Sequence, residues 1–119
     1  MPQAKALKII GCYAQTEIGH GSNVAGLETT ATLDMKTDEW VIHTPTIRAT
    51  KFWPGGMGFA ANHAMVYARC ITGGKDHGVQ AFLVPIRDAN HTSFPSVKNG
   101  DLGAKLGWNG VDNGWLTFT

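Results

Sequence analysis

The chain has 119 residues and a formal net charge of +1 at pH 7, from 10 Lys and Arg against 9 Asp and Glu. This length suits one domain with its own core and is too short for a whole two-domain cofactor enzyme. The near-balance of scattered charges gives no electrostatic signature of nucleic-acid or anionic-membrane binding. No apolar stretch approaches the roughly 20 residues that cross a bilayer, and the first residues of the sequence lack the long apolar core of a signal peptide.

Cysteine and histidine usage predicts no metal site. Cys12 and Cys70 do not make a disulfide framework, and their spacing matches no zinc motif. Both lie in apolar stretches, so we interpret them as small buried hydrophobic residues. The five histidines are dispersed, and none forms an i, i+4 pair.

The first half of the chain predicts short strands separated by turns. An apolar run covers 7–14, and a Thr-rich segment follows at 28–33. A polar turn at 34–38 then leads into 39–43, so these two strands predict a hairpin. The Trp-Pro-Gly-Gly segment within 52–58 cannot be the interior of a regular strand.

The second half continues the same pattern. A buried strand is predicted over 64–71, although 60–67 could instead contain a helical turn or two. Another strand is predicted over 79–86, then a polar, irregular stretch over 87–100, and a last strand over 115–119.

The whole pattern predicts an all-β fold, a closed or nearly closed β-barrel of short antiparallel strands. No segment of eleven or more residues keeps a helical period. Because the chain ends inside an apparent strand at Thr119, we expect residues 1–119 to be one β-domain of a longer protein.

Two phosphate-binding motifs match the sequence only in part. Gly19-His20-Gly21 begins like a dinucleotide fingerprint, but Val24 stands at the third glycine position and a Thr-rich strand follows. Gly21 and Gly26 have the spacing of a phosphate loop, but Leu27 and Glu28 follow where Lys and Ser or Thr are required.

The segment 13–23 nevertheless suits a flat, polar-edged ligand. It offers side-chain donors beside glycines that let the backbone approach a ligand closely. The segment 53–56 could cover another side of the same ligand, with Trp53 packed against an aromatic ring. Composition alone favours the plainer interpretation that both segments are barrel corners.

These segments together resemble the middle domain of peroxisomal acyl-CoA oxidases, in the acyl-CoA dehydrogenase superfamily. The resemblance extends over nearly the whole chain in ordered blocks. The blocks cover 13–23 (Tyr-Ala-Gln-Thr-Glu-Ile-Gly-His-Gly-Ser-Asn), 26–32, 44–46, 51–58, 62–64, 81–87, 100–105 and 111–114. Phe52 and Val111 stand where the family commonly has Trp and Met.

The resemblance implies a β-domain between two helical domains, with FAD as cofactor and fatty acyl-CoA as substrate. It implies desaturation to the trans-2-enoyl-CoA, followed by reoxidation of the flavin by O2 to give H2O2. It further implies a peroxisomal location and a homodimeric parent protein.

The resemblance also assigns residues to the cofactor. Thr16 and Gly55 are the principal expected contacts. The remaining expected contacts are Tyr13, Ala14, Gln15, Gly21 and Ser22. The glutamate that removes the substrate's α-proton belongs to a C-terminal helical domain in this family, so no catalytic residue is predicted within this chain, and Glu17 and Glu28 are not assigned as the base.

Two alternatives remain open on the sequence. One is the middle domain of an acyl-CoA dehydrogenase, which passes its electrons to a flavoprotein. The other is a free-standing β-barrel that binds a lipid or carbohydrate ligand.

Overall fold

The structure is a computed structural model that describes residues 2–119; Met1, the first residue of the predicted domain, lies outside this range. Strands dominate it, with one helical turn, α1, at Pro2–Lys5. The strands are β1 Gly11–Ala14, β2 Thr30–Asp34, β3 Glu39–His43, β4 Lys51–Phe52, β5 His63–Thr72, β6 Lys75–Pro85, β7 Val97–Asp101 and β8 Gly114–Phe118. Short 3₁₀ turns occupy Val24–Gly26 and Ile47–Ala49.

The first sheet is organised around β5. Strand β6 pairs antiparallel along one edge of β5. On the other edge, β1 pairs parallel with the first part of β5 and β2 pairs parallel with its second part. Strand β3 completes this sheet by pairing antiparallel with β2. The consecutive strands β1 and β2 thus lie end to end along one edge of β5, a long strand that comes much later in the sequence.

The second sheet has the order β4-β8-β7, and both pairings are antiparallel. Alternate residues of β8 are buried, which is the period-2 pattern of a strand with one face on a core. Leu116 and Phe118 from this sheet join Ala14, Ala64 and Val66 from the first sheet in one apolar cluster. The core therefore lies between the two sheets.

The predicted hairpin is confirmed: β2 and β3 pair in register from Thr30 with His43 to Asp34 with Glu39. A second hairpin joins β5 to β6 through Gly73 and Gly74, with φ of 56° and 76°. A two-residue turn with both φ values positive matches the right-handed twist of the strands, and glycine adopts it without strain.

The all-β prediction is confirmed, but the arrangement differs from the expected one. The pairings among residues 2–119 form two open sheets, so closure into a barrel is not confirmed. The prediction that all strands are antiparallel is wrong, because β1 and β2 both run parallel to β5. Turn signals specify only the pairing of strands adjacent in sequence, whereas long connections allow parallel pairing.

Three local predictions need correction. The predicted irregular stretch 87–100 contains the start of β7, because the polar Lys98-Asn99 pair conceals a strand that pairs with β8. Strand β6 begins at Lys75, four residues before the start of the predicted strand over 79–86. The apolar run 7–14 is a strand only from Gly11. Residues 60–67 contain the start of β5 and no helix.

No helix within residues 2–119 has both the length and the apolar character required to cross a membrane.

Candidate functional site

A cleft of about 270 Å³ opens where β1 and β4 end side by side. It brings together three segments that are far apart in sequence, at 13–16, at 52–55 and at residue 113. Its walls are formed by Tyr13, Thr16, Phe52, Trp53, Pro54, Gly55 and Asn113.

The loop after β1 is joined to β4 at this cleft. The Phe52 N–H donates to the Thr16 carbonyl over 2.9 Å, which places Thr16 beside the end of β4. Tyr13 lies on the exposed face of β1, with 57% of its surface accessible, and its ring packs 5.0 Å from that of Tyr67. The Tyr13 hydroxyl donates to Gln15 Oε1 over 2.9 Å, so the two side chains hold one another at the rim.

Trp53 is held in a backbone conformation that non-glycine residues rarely adopt. Its φ is 85°, and its side chain is 64% exposed. Two contacts stabilise this conformation: the Trp53 N–H donates to Gly114 O over 2.9 Å, and Asn113 Nδ2 donates to Trp53 O over 2.8 Å. Such a conformation persists only where surrounding contacts hold it, and strained residues of this kind cluster at functional sites.

The cleft presents polar groups that the protein leaves unpaired. Within residues 2–119, no hydrogen bond uses the Thr16 N–H, the Thr16 hydroxyl or the Gly55 N–H. Thr16 is partly buried and Gly55 is exposed, so these groups are accessible to a ligand that enters the cleft. Aromatic walls with a few convergent donors are the usual chemistry of a cofactor pocket.

A buried ion pair lies beneath the loop. Lys51 Nζ donates to Glu17 Oε1 over 3.0 Å, and both side chains have no accessible surface. The Glu17 carboxylate also accepts from the backbone N–H groups of Glu28 and Thr29 over 2.8 and 2.9 Å. Burial lowers the pKa of Lys51, and the neighbouring Glu17 charge opposes this shift. Glu17 is thus fully engaged in structural hydrogen bonds and an ion pair.

Glu28 ties the far end of the same loop to the turn before β4. Its carboxylate contacts His20 Nε2 at 3.0 Å, and it accepts from Thr46 Oγ1 at 2.9 Å and Arg48 Nε at 3.2 Å. The hydrogen bond with His20, followed by those from Thr46 and Arg48, lowers the pKa of Glu28 to about 2. Glu28 is therefore a loop anchor.

The structure brings together three of the seven predicted contact residues. Tyr13, Thr16 and Gly55 line the cleft. Gln15 reaches its rim through the bond from Tyr13, whereas Ala14 is buried in the core. The remaining two, Gly21 and Ser22, lie in an exposed loop and do not line this cleft.

Asn113 and Lys51 are functional candidates that reasoning from the sequence missed. Asn113 lines the cleft and supports Trp53, and Lys51 underlies the loop. Asn113 begins an Asn-Gly pair, which indicates a turn and gave no reason to expect this side chain near Trp53. Lys51 lies beside Glu17 because β4 passes beneath the loop. The sequence around a two-residue strand does not indicate that this lysine is buried or which residue it contacts.

A second cleft, of about 480 Å³, adjoins the first. Trp53 and Asn113 line both clefts, and Trp108, Lys105 and Val111 line the second. The side chain of Trp53 therefore stands between two recesses. An added Cβ at Gly55 would lie 3.3 Å from Val111 Cγ1, so the backbone here has little room for a side chain.

Metal and thiol chemistry receive no support from the described part of the chain. No group of three His, Cys, Asp or Glu side chains in residues 2–119 could hold a metal ion. Both cysteines are free. Burial raises the pKa of the Cys12 thiol to about 11, so this group is a buried, unreactive side chain as expected.

Residues 12–119 match the family described as acyl-CoA dehydrogenase, middle domain, and the chain belongs to that family. It is 58% identical to peroxisomal acyl-coenzyme A oxidase 1 of Arabidopsis thaliana, over 97% of this chain and 18% of the relative. It is 51% identical to the human protein of the same name, over 95% of this chain and 17% of the relative.

Solved structures agree with these sequence relatives. Arabidopsis thaliana acyl-CoA oxidase 1 superposes with a TM-score of 0.96 at 58% identity, over 98% of this chain and 18% of that protein. Caenorhabditis elegans acyl-CoA oxidase-1, solved with FAD and ATP, superposes with a TM-score of 0.92 at 49% identity, over 99% of this chain and 19% of that one. This chain thus spans about one fifth of the relatives that it matches.

Proposed function

We propose that this chain, residues 1–119, is the FAD-contacting middle domain of a peroxisomal acyl-CoA oxidase. The observation that carries the proposal is the cleft that unites Thr16 with Gly55 and leaves their N–H groups unpaired. The oxidase relatives and the FAD-bound neighbour support the choice of cofactor. They favour an oxidase over a dehydrogenase and over a free-standing binding module.

The chemistry of the cleft fits one edge of a flavin. Tyr13, Phe52 and Trp53 provide aromatic surface for a flat ring system, and the donors at Thr16 and Gly55 suit the polar atoms at its edge. FAD supplies, when bound, a hydride acceptor for acyl-CoA desaturation and a two-electron donor to O2, which leaves as H2O2. Donors at Thr16 would stabilise negative charge on the reduced ring.

We infer that the remaining components lie outside this chain. Desaturation to the trans-2-enoyl-CoA requires a carboxylate base, and Glu17 and Glu28 are both committed to structural hydrogen bonds. The base, the adenosine contacts and much of the acyl pocket are assigned to helical domains of the same protein or to its homodimer partner. Gln15, Ala14, Gly21 and Ser22 remain proposed cofactor contacts, and Gly21 and Ser22 would meet FAD away from this cleft.

The proposal is tested by Thr16→Val in the full-length protein, with Thr16→Ser as its conservative counterpart. Loss of one hydroxyl donor should raise the Kd for FAD by about 2- to 10-fold, because a single hydrogen bond contributes about 0.5–1.5 kcal/mol. Thr16→Ser should retain most of the affinity. Flavin fluorescence titration of the apoprotein measures both values.

Thr32→Val, on the exposed face of β2, is the matched control and should leave FAD affinity unchanged. A full-length protein that binds no FAD would contradict the proposal. Oxygen consumption with an acyl-CoA substrate separates the oxidase from the dehydrogenase, since only the oxidase transfers its electrons to O2 at a catalytic rate.

A further inference from the structure

We propose that Lys51, together with Glu17, is a positioning residue that aims the Gln15–Thr16 peptide at the cofactor. This inference rests on the proposed function, since it concerns the same FAD site. Neither residue lines the cleft. Their effect on the cofactor would be transmitted through the backbone that they hold.

The ammonium group of Lys51 is saturated by three acceptors, two from the loop after β1 and one from β5. Nζ donates to Gln15 O over 3.0 Å, to Glu17 Oε1 over 3.0 Å and to Tyr67 O over 2.6 Å. An ammonium has three protons, so each has one partner. The group thereby joins the loop after β1 to the middle of β5.

Two consecutive residues of β4 hold two consecutive carbonyls of the loop. Lys51 Nζ binds the Gln15 carbonyl, and the Phe52 N–H donates to the Thr16 carbonyl over 2.9 Å. A bridge between Glu17 and Lys51 completes the contact between the segments. With both carbonyls bound, the Gln15–Thr16 peptide has little freedom to rotate.

The geometry of the peptide bond determines where its N–H points. No cis peptide bond occurs among residues 2–119, so the C=O of Gln15 and the N–H of Thr16 point in opposite directions across one plane. The Gln15 carbonyl points inward to the buried Lys51 Nζ. The Thr16 N–H therefore points outward from the buried ion pair, and it has no partner within the described residues.

The charge on Lys51 should also strengthen this donor. A cation bound to the carbonyl polarises the peptide and makes its N–H a better hydrogen-bond donor. Glu17 compensates the charge, so the ammonium can be buried without an unpaired charge. A buried ion pair often contributes no more to stability than apolar side chains of the same volume. A positioning role would give this pair a function that apolar side chains could not supply.

The test uses the full-length protein with Lys51→Met and with the double change Glu17→Gln and Lys51→Met. The double variant leaves no unpaired buried charge, so it remains informative if the single variant folds poorly. Both variants should shift the visible absorption bands of bound flavin and lower its reduction potential, because the Thr16 N–H is less well aimed and less polarised. kcat should fall by roughly 10²-fold, as expected for a misplaced reacting group, with a much smaller change in KM for acyl-CoA.

Two control variants separate positioning from general loss of stability. Lys98→Met makes the same chemical change at an exposed position on β7 and should alter neither spectrum nor potential. Val97→Ala truncates a buried side chain of β7, and should lower the thermal midpoint while leaving the flavin potential in place.

The outcomes are distinguishable. A parent protein that holds FAD, with both Lys51 variants keeping its spectrum and potential, would overturn this inference and leave the proposed function intact. A shift in Val97→Ala as large as in the Lys51 variants would also overturn it, by showing that instability alone moves the flavin. A parent protein that binds no FAD would overturn both proposals together.

Discussion

Gly114 shows how closely single residues are packed around the candidate site. An added Cβ would lie 2.7 Å from Gly100 O, 2.8 Å from Gly58 N and 2.8 Å from Met57 Cγ. Two of these are main-chain atoms, which cannot move aside as a side-chain end can. Gly114 also accepts from the Trp53 N–H, so its position determines that of the strained tryptophan. At this position the absence of a side chain supports the site directly.

Gly114→Ala should destabilise this chain by about 3 kcal/mol, at the upper end of the usual cost of overpacking. Gly110→Ala is the matched control, because an added Cβ there meets no atom within 4 Å. Urea unfolding of both variants measures the difference. Equal unfolding free energies for the two would show that Gly114 is not confined as described.

The loop 15–28 is an element defined by its polar anchors. Glu17 is buried beneath its start, and Glu28 binds His20, Thr46 and Arg48 at its end. Its N–H groups at Ile18 and Gly19 donate to Thr50 O and Arg48 O. These contacts hold an irregular segment in place without a regular ladder, and they link it to the stretch that leads into β4.

Glu28 should make the stability of this element depend on pH in acid. Its pKa is lowered from 4.5 to about 2 in the folded chain, so the unfolded chain binds a proton first as the pH falls. The stabilisation is therefore complete above about pH 4.5 and is lost as the pH falls toward 2. In Glu28→Gln, the unfolding free energy should lose this component of its pH dependence.

Thr46→Val removes one donor to Glu28 and should reduce the same pH dependence to a lesser degree. Unfolding free energies measured by urea denaturation between pH 2 and 6 test both variants. A Glu28→Gln curve parallel to that of the parent across this range would contradict the assignment of Glu28 as a loop anchor.

At the scale of the whole molecule, we propose that the chain forms one wall of a larger site. The cleft at Thr16 and Gly55 is open, and the chain spans about one fifth of the length of its relatives. A core shared by two sheets gives residues 2–119 a basis for folding without further chain. The proposed cofactor site, in contrast, has contacts from this chain on one side only.

The 119-residue chain produced alone should therefore fold cooperatively, bind FAD weakly and release no peroxide from palmitoyl-CoA. Circular dichroism with urea unfolding tests the folding, flavin fluorescence titration tests the binding, and a peroxide assay tests turnover. Steady FAD-dependent peroxide release by this chain would show that it contains a base of its own. The full-length protein is the positive control.

Sequence patterns predicted the features that depend on near neighbours. The β2–β3 hairpin, the buried strand over β5 and the last strand follow from alternation and turn residues, which act over a few positions. The resemblance to the oxidase family, through the blocks 13–23 and 51–58, predicted Thr16 and Gly55 as cofactor contacts. Neither source indicated that β1 and β2 run parallel to β5, or that a strand begins at Val97.

The sequence by itself determined the fold class, the family and the loop 13–23 as the candidate contact with a cofactor. Only the tertiary structure decided what holds that loop. Lys51 meets Gln15, Glu17 and Tyr67 because β4 passes beneath the loop, and Asn113 meets Trp53 because β8 pairs with β4. Such contacts join residues 16 to 60 positions apart, a range over which local propensity carries no information.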